Sequence, residues 1–371
     1  MKKQPPDTTS GPALVVRDGR DELNLAEWPI SVSGGRRGHR HGNSVTLSDT
    51  IRTPEGQLTT RQWTIMGTEE FGLPTPFCED VYVGLMHLSH EQGFLGRTLQ
   101  TSLREICRCL QLTPGGQNLQ RIKEALQCLT LTGIRAEKAF WSKAEQQYKD
   151  GVFHILDDVV FPRDTQPTSQ VTLTWNQIFW SNIMAGHLKT LSMEFYNSLS
   201  GPIAKKLYRY LDKHRWDNKR QYRIGLSKLA LHLGLAEGYP SQWKQRLQGA
   251  HDQLLAQGFL ASVEYVAGRE EELVAYTFSD PTEQQAQARQ ATLPLGEDYE
   301  PVVPLLEDQI QQVMDQLSSE ELEALQEEAW QQLSPALREL TGGRKTHFAV
   351  HMEVRRIIRE RYIEEKDSKE K

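Results

Sequence analysis

The chain has 371 residues, a formal net charge of −6 and 25% charged residues, values that are ordinary for a globular protein. No apolar run approaches the roughly 20 residues that a membrane-spanning helix needs, and the first residues lack the apolar core of a secretory signal. We therefore expect a cytoplasmic protein whose four cysteines are reduced thiols, with no metal site and no cofactor.

The first 60 residues are rich in Gly, Ser, Thr and Arg, and they predict a flexible basic N-terminal arm over residues 1–60. Within this arm, residues 23–30 are apolar enough to dock as a short segment. The run SGGRRGHRHG at 33–42 contains His39 and His41. A metal site is one interpretation of the two histidines, but the intervening arginine and the glycines favour a mobile arm that contacts phosphate.

Residues 61–165 predict a first winged-helix domain. A strand at 62–66 is followed by apolar residues at helical spacing over 80–88, 102–110 and 117–129. Extended segments at 134–141 and 152–161 then form a hairpin. Helix, helix, turn, helix and hairpin is the order of a winged helix.

The same order recurs over residues 166–280 and predicts a second winged-helix domain. A strand at 170–173, a short helix at 175–183 and an extended piece at 187–191 come first. The repeated unit then follows as helices at 202–215, 227–233 and 241–257, with strands at 222–225, 260–265 and 273–278. We expect the last two strands to form its hairpin.

Residues 281–293 predict a linker, and residues 294–371 predict a C-terminal helical region. The segment 294–328 contains eleven Asp/Glu and no Lys/Arg, whereas basic residues follow it, so its helices should pair with each other or with a protein partner. A solvated helical tail is one alternative, and an autoinhibitory contact with the basic stretch of the second domain is another. The predicted fold class is α+β, mainly helical, with two tandem winged-helix domains and a C-terminal helical extension.

Positive charge is concentrated in residues 203–247, which contain eleven Lys/Arg and three Asp/Glu. A local basic field attracts phosphates even when the whole protein is acidic. A solvated basic helix is the alternative interpretation. We predict sequence-independent phosphate contacts from the following side chains of this stretch: Lys205, Lys206, Arg209, Lys213, Arg215, Lys219, Arg220 and Arg223.

A helix that reads the major groove presents polar side chains away from its packed face. In the second unit the predicted reading residues are Ser241, Gln242, Lys244, Gln245 and Arg246, with Arg269 at the tip of the hairpin. In the first unit they are Gln117, Asn118, Gln120, Arg121 and Lys123. A solvated helix face is the alternative for both, and Glu124 on the same face weakens the case for the first.

Enzyme motifs are absent from the sequence. There is no G-x-x-x-x-G-K-[ST] phosphate-binding loop and no G-x-S-x-G nucleophile turn. A DNA-nicking relaxase would carry two histidines around an apolar residue on a strand, whereas Arg40 separates His39 from His41. We therefore expect a binding protein and not an enzyme, with a relaxase as the disfavoured alternative.

Several segments resemble the bacterial and plasmid replication initiator protein A family. They are NLAEWP at 24–29, WTIMG at 63–67, FGLPTP at 71–76, EDV at 79–81 and KKLYRYLD at 205–212. The resemblance implies an initiator that binds repeated origin sites in double-stranded DNA and helps to open the origin. It also implies self-association as a dimer and contact with host replication machinery such as a helicase. A winged-helix transcriptional regulator or autorepressor is the alternative.

Overall fold

The structure is a computed structural model that describes residues 19–32, 43–52, 56–162, 169–215, 220–235, 238–269 and 271–279, with parts of 313–361. The run 33–42, the predicted linker and Lys219 lie outside these residues. Helix accounts for 46% and strand for 31% of the described part, with several antiparallel sheets, so the prediction of a mainly helical fold is not confirmed. None of the helices seen there has the length and apolar character to cross a membrane.

The N-terminal segment is an integral part of the fold. Strand β1 (Gly19–Glu22) pairs antiparallel with β9 (Leu188–Leu191), and helix α1 (Leu23–Glu27) follows it directly. Leu25, Trp28 and Ile30 are completely buried. The docking expected of residues 23–30 is observed, but a flexible arm is wrong for residues 19–32, which we call the N-terminal strap, because burial of these side chains opposes detachment. It is also wrong for residues 44–52, which form a strand.

The first half of the chain contains two sheets and three main helices. Its elements in order are β2 (Ser44–Arg52), β3 (Leu58–Met66), α2 (Pro76–Glu91), β4 (Thr98–Ser102), α3 (Leu103–Cys109), α4 (Gly116–Leu131), β5 (Gly133–Ser142), β6 (Gln147–His154), β7 (Leu156–Val160) and β8 (Gln170–Trp175). One sheet has the strand order β2-β3-β5-β6 and the other β4-β8-β7.

This topology corrects the predicted hairpin of the first unit. Strands β5 and β6 pair with each other, but β5 also pairs with β3, so this hairpin belongs to the four-stranded sheet. The hairpin that returns to β4 is β7–β8, and the predicted domain boundary at 165/166 falls inside it. Alternation alone could not separate β6 from β7, because only Ile155 lies between them.

The second half repeats the order of elements. It contains α5 (Gln177–Met184), β9, α6 (Met193–Ser198), α7 (Pro202–His214), β10 (Gln221–Gly225), α8 (Leu226–His232), α9 (Pro240–Ala256), β11 (Leu260–Ala267) and β12 (Glu272–Phe278). The sheet order β10-β12-β11 matches β4-β8-β7 in the first half. Both sets follow helix, strand, two helices and two strands, with β5–β6 inserted in the first.

In the C-terminal region, helix α10 (Ser319–Gln332) packs on helix α11 (Phe348–Ile358). Leu325 and Ala329 of α10 and Val354 of α11 are buried. The Arg361 guanidinium lies 2.6 Å from the Glu328 carboxylate, beyond the end of α11. An acidic helix and a basic segment therefore meet within this region.

Helix α7 joins the two halves through buried charges. The Arg209 guanidinium is fully buried, donates two hydrogen bonds of 2.8 Å to the Asp21 carboxylate and lies 3.2 Å from the Glu79 carboxylate. Lys206 donates to the carbonyl oxygens of Leu25 and Trp28 at 2.9 and 3.0 Å. We call Asp21, Glu79, Lys206 and Arg209 the α7 charge network. It connects α7 to the N-terminal strap and to α2.

Burial and charge pairing shift the pKa values of this network in opposite directions, and the outcome differs between Asp21 and Lys206. Burial by itself raises the pKa of Asp21, but the charge and hydrogen bonds of Arg209 hold that pKa below its ordinary value. Burial lowers the pKa of Lys206 to about 8. A buried pair of this kind tolerates loss of a partner badly, because the remaining charge has neither water nor a counter-ion.

Glu22, in the strap, predicts a pH effect on stability. Burial raises its pKa from 4.5 to about 7, against the hydrogen bonds from the Leu25 N–H and the Asn182 amide. The folded state therefore holds a proton that the unfolded state has lost between these two pH values. The contribution of Glu22 to stability should be complete below about pH 4.5 and fall by about 1.4 kcal/mol per unit up to about pH 7.

Comparison of the wild type with Glu22→Gln by urea unfolding between about pH 5 and pH 8 isolates this contribution. The free energy of unfolding of the wild type should fall, relative to the variant, as the pH rises. A constant difference between the two proteins over that range would contradict the assignment.

Candidate nucleic-acid interface

Helix α9 is held in place by one apolar face. Leu247, Ala250 and Leu254 are buried, and the helix packs against α7. Pro240 occupies its first position, where a helix has no use for the missing N–H. The side-chain oxygen of Gln242 accepts a hydrogen bond of 3.2 Å from the backbone N–H of Tyr239, which fixes the start of the helix.

The opposite side of α9 is polar and open. Ser241, Gln242, Gln245 and Arg246 are exposed, and no hydrogen bond or ion pair of the Arg246 side chain is seen within the described residues. The Lys244 side chain is instead engaged with the hairpin: its ammonium lies 2.6 Å from the Glu272 carboxylate and 4.7 Å from the Tyr265 ring centre. Four of the five reading residues predicted on this helix therefore share an accessible surface.

Arg269 lies at the tip of the hairpin β11–β12, which contacts α9 through the ion pair of Glu272 with Lys244. Ala267 pairs with Glu272 at the end of the ladder, and the exposed Arg269 lies in the turn between them. The turn is tight: a Cβ on Gly268 would lie 2.3 Å from the carbonyl oxygen of Glu271, so a larger residue requires the backbone to move. Arg269 is thus presented on a constrained loop.

The basic stretch predicted to bind phosphate is divided by the structure. Arg220 and Arg223 are exposed on or beside β10. The register sets Gly225 opposite Leu273, near the tip that carries Arg269, so Arg220 lies at the far end of the sheet. Arg215 donates to the Ser279 carbonyl oxygen at 2.8 Å, with its guanidinium 5.2 Å from the Phe259 ring centre.

The α7 residues of that stretch are engaged inside the protein. Lys206 and Arg209 are buried in the α7 charge network, so the prediction that they contact phosphate is wrong for this structure. Lys205 pairs with Asp80 at 3.1 Å, and Lys213 pairs with Glu27. Their acidic partners lie far away in sequence, in α2 and the strap, which is why local charge counting assigned the whole stretch to DNA.

Helix α4 of the first half also has a polar outer face, but more of its side chains contact other residues of the protein than on α9. Gln117 is exposed, and Asn118 donates to the Thr113 carbonyl oxygen at 2.9 Å. Gln120 is hydrogen-bonded to Glu124 at 2.9 Å. The side chains of Arg121 and Lys123 lie over the rings of Phe77 and Phe161, at 4.2 and 5.1 Å. The prediction of DNA contact on α4 stays a prediction, with more of its side chains occupied internally than on α9.

One exposed side chain at this surface was not predicted from the sequence. The Tyr239 ring, just before α9, is 74% exposed. Periodicity gave no signal for it, because it lies outside the helix and contributes to no apolar face. The preceding loop residues 236–237 are outside the described part of the chain.

Comparison with known proteins identifies the family. The family model for replication initiator protein A matches residues 47–246, more than half of the chain. The chain belongs to the replication initiator protein A family. The resemblance found in the sequence motifs is thereby confirmed, and the match extends from β2 into the first half of α9. No curated protein matches this initiator.

Solved structures are similar at low sequence identity. A selenomethionine crystal structure of domains 2 and 3 of RctB has a TM-score of 0.47 at 10% identity, covering 70% of this chain and 98% of that one. A second structure of RctB domains 2–3 has a TM-score of 0.44 at 10% identity, covering 71% and 99%. The Pi initiator protein in complex with iteron DNA has a TM-score of 0.43 at 16% identity, covering 56% and 91%.

Because some basic residues are exposed and others are paired inside the protein, their replacement should change the salt dependence of DNA binding differently. Each phosphate contact adds about 0.9 to the slope of log K against log[salt]. Replacing the exposed Arg269 by glutamine should therefore make the slope shallower by about 1. Replacing Lys205, which is paired with Asp80, should leave it unchanged. Titrations of both variants with the same duplex at several salt concentrations measure this, and equal changes in slope would contradict the division.

Proposed function

We propose that this initiator binds double-stranded DNA sequence-specifically at repeated origin sites and promotes opening of the adjacent DNA. In this proposal the two repeated sets of elements, α2 to β8 and α7 to β12, are winged-helix units. The observation that carries it is the combination of an exposed polar face on α9 with Arg269 on the neighbouring hairpin. Family membership supports the role in replication initiation.

The chemistry of this face suits readout of base edges. An arginine donates two parallel hydrogen bonds to the O6 and N7 of guanine, and a glutamine pairs with the N6 and N7 of adenine. Arg246 and Gln245 are adjacent and exposed on α9. Ser241 lies one turn earlier, where a short hydroxyl reaches either a base or a phosphate.

Arg269 extends the contact beyond the groove. A cation on a hairpin tip supplies the sequence-independent part of the affinity by contacting phosphate. The only carboxylate on α9 is Asp252, which accepts a hydrogen bond of 2.8 Å from Gln248 and lies toward the C-terminal end of the helix, beyond Arg246. The first turns of α9 therefore offer no acidic side chain to repel phosphate. Self-association and a contact with host replication proteins stay predictions.

The decisive experiment is a footprint of the full-length protein on the DNA that flanks its gene. We expect protection of several copies of one short sequence, which Arg246→Ala should weaken and Lys205→Gln should not. Protection of a single promoter site, with no repeats and no effect of the protein on replication, would favour a transcriptional regulator instead. A covalent protein–DNA adduct would contradict a pure binding role.

A further inference from the structure

Tyr239 is more exposed than any other large apolar side chain among the described residues, at 74%. Leu58 follows it at 69%, at the start of β3. Aromatic side chains carry a large apolar surface and are usually buried or partnered. A single exposed ring needs no explanation by itself, but this ring adjoins the face that we assign to DNA.

The backbone beneath the ring is fixed. The N–H of Tyr239 is bound by the Gln242 side chain at 3.2 Å, and its carbonyl oxygen accepts from the N–H groups of Gln242 and Trp243 at 2.9 and 3.1 Å. Pro240 follows and restricts Tyr239 to the extended conformation that it adopts, with φ −91° and ψ 156°. Little entropy therefore remains to be lost in the main chain when the ring is covered.

Tyr239 directly precedes the first turn of α9, next to the exposed polar face of that helix. Within the helix, Gln242 and Arg246 are four positions apart, so they lie on the same side of α9, and both are exposed. Gly249 continues this line, and a Cβ built there would meet nothing within 4 Å. An apolar ring thus lies next to a line of polar groups that ends at an open stretch of helix backbone.

We propose that Tyr239 contacts the C5 methyl group of a thymine in the bound site, as a specificity-determining residue of α9. This inference rests on the proposed DNA-binding function. The methyl group of thymine is the apolar feature of the major groove, and apolar side chains beside a reading helix contact it there. The phenol oxygen remains on the edge of the ring, where it meets water or a phosphate.

Uracil substitution tests the contact, because it removes only the methyl group. The probe is the duplex that the wild type protects, with each thymine replaced singly by uracil. One replacement should weaken wild-type binding about fourfold, the value expected for one buried methyl group. Tyr239→Ala should lose a similar factor on the thymine duplex and show no further loss at that position. Tyr239→Phe should behave like the wild type.

Tyr148→Ala is the matched control, because Tyr148 is an exposed tyrosine on β6 in the other half of the chain. It should keep the full dependence on the methyl group. If Tyr239→Ala shows the same loss on uracil substitution as the wild type, the thymine contact is wrong although specific binding stands. A loss in Tyr239→Phe without any effect of uracil would point to a phosphate contact and overturn the proposal. Failure of the wild type to distinguish its site from unrelated DNA would instead reject the proposed function.

Discussion

Replacing Arg209 by methionine should lower the free energy of unfolding by about 3–5 kcal/mol, the usual cost of breaking a buried ion pair. The side chain is fully buried, and its guanidinium binds both Asp21 and Glu79. Its loss leaves two carboxylates inside the protein with Lys206 as the remaining cation of the α7 charge network. Urea unfolding at neutral pH, followed by circular dichroism, measures the change.

Lys205→Met provides the matched control one turn away on the same helix. Lys205 pairs with Asp80 at 3.1 Å, with both side chains partly exposed at 18% and 23%, so its loss should cost no more than about 1 kcal/mol. Adding Asp21→Asn to Arg209→Met should recover part of the lost stability, because it removes a buried unpaired charge. A change below about 1 kcal/mol for Arg209→Met would contradict the role of this network.

Replacing Arg246 by alanine should weaken binding to the specific site by about 1–3 kcal/mol, roughly 5- to 150-fold. Arg246 is exposed on α9, where a bidentate contact to guanine would supply this energy. The loss should be smaller on unrelated DNA, because base contacts add nothing there. Binding to a series of duplexes with single base-pair changes should show that the variant has lost its preference at one position.

Two further variants separate base contact from charge. Arg246→Lys keeps the charge but cannot make the planar two-bond contact, so it should recover the affinity for unrelated DNA and not the base preference. Arg223→Ala removes an exposed arginine from β10 and should leave the base preference intact. An equal loss for Arg246→Ala on specific and unrelated DNA would show that Arg246 contacts only phosphate.

The exposed polar face of α9 could be predicted from the sequence because it depends on local geometry. Leu247, Ala250 and Leu254 recur at helical spacing, and their burial determines which neighbours remain outside. The helix also has a local start at Pro240 and a local stop at Gly258, whose φ of +70° an L side chain rarely adopts. These features need no information from distant parts of the chain.

Whether the basic side chains of α7 are exposed or paired inside the protein was decided only by tertiary structure. Its sequence shows a dense run of lysine and arginine, and a phosphate surface is a sound local interpretation of it. The partners of Arg209, however, lie 188 and 130 positions away, at Asp21 and Glu79. No property of the stretch itself reveals that these two carboxylates pair with Arg209.

The same reason explains the errors in strand assignment. Alternating residues predict that a segment is extended, but hydrogen bonds to a distant partner decide which sheet it joins. Thus β1 pairs with β9, and β5 joins β3 instead of serving as the hairpin of its own unit. The sequence by itself determined most of the helices, though not α1 or α6, and the order of elements that the two halves repeat. Only the tertiary structure decided which charges stay exposed and which hold the two halves together, because pairing across the chain depends on distance in space.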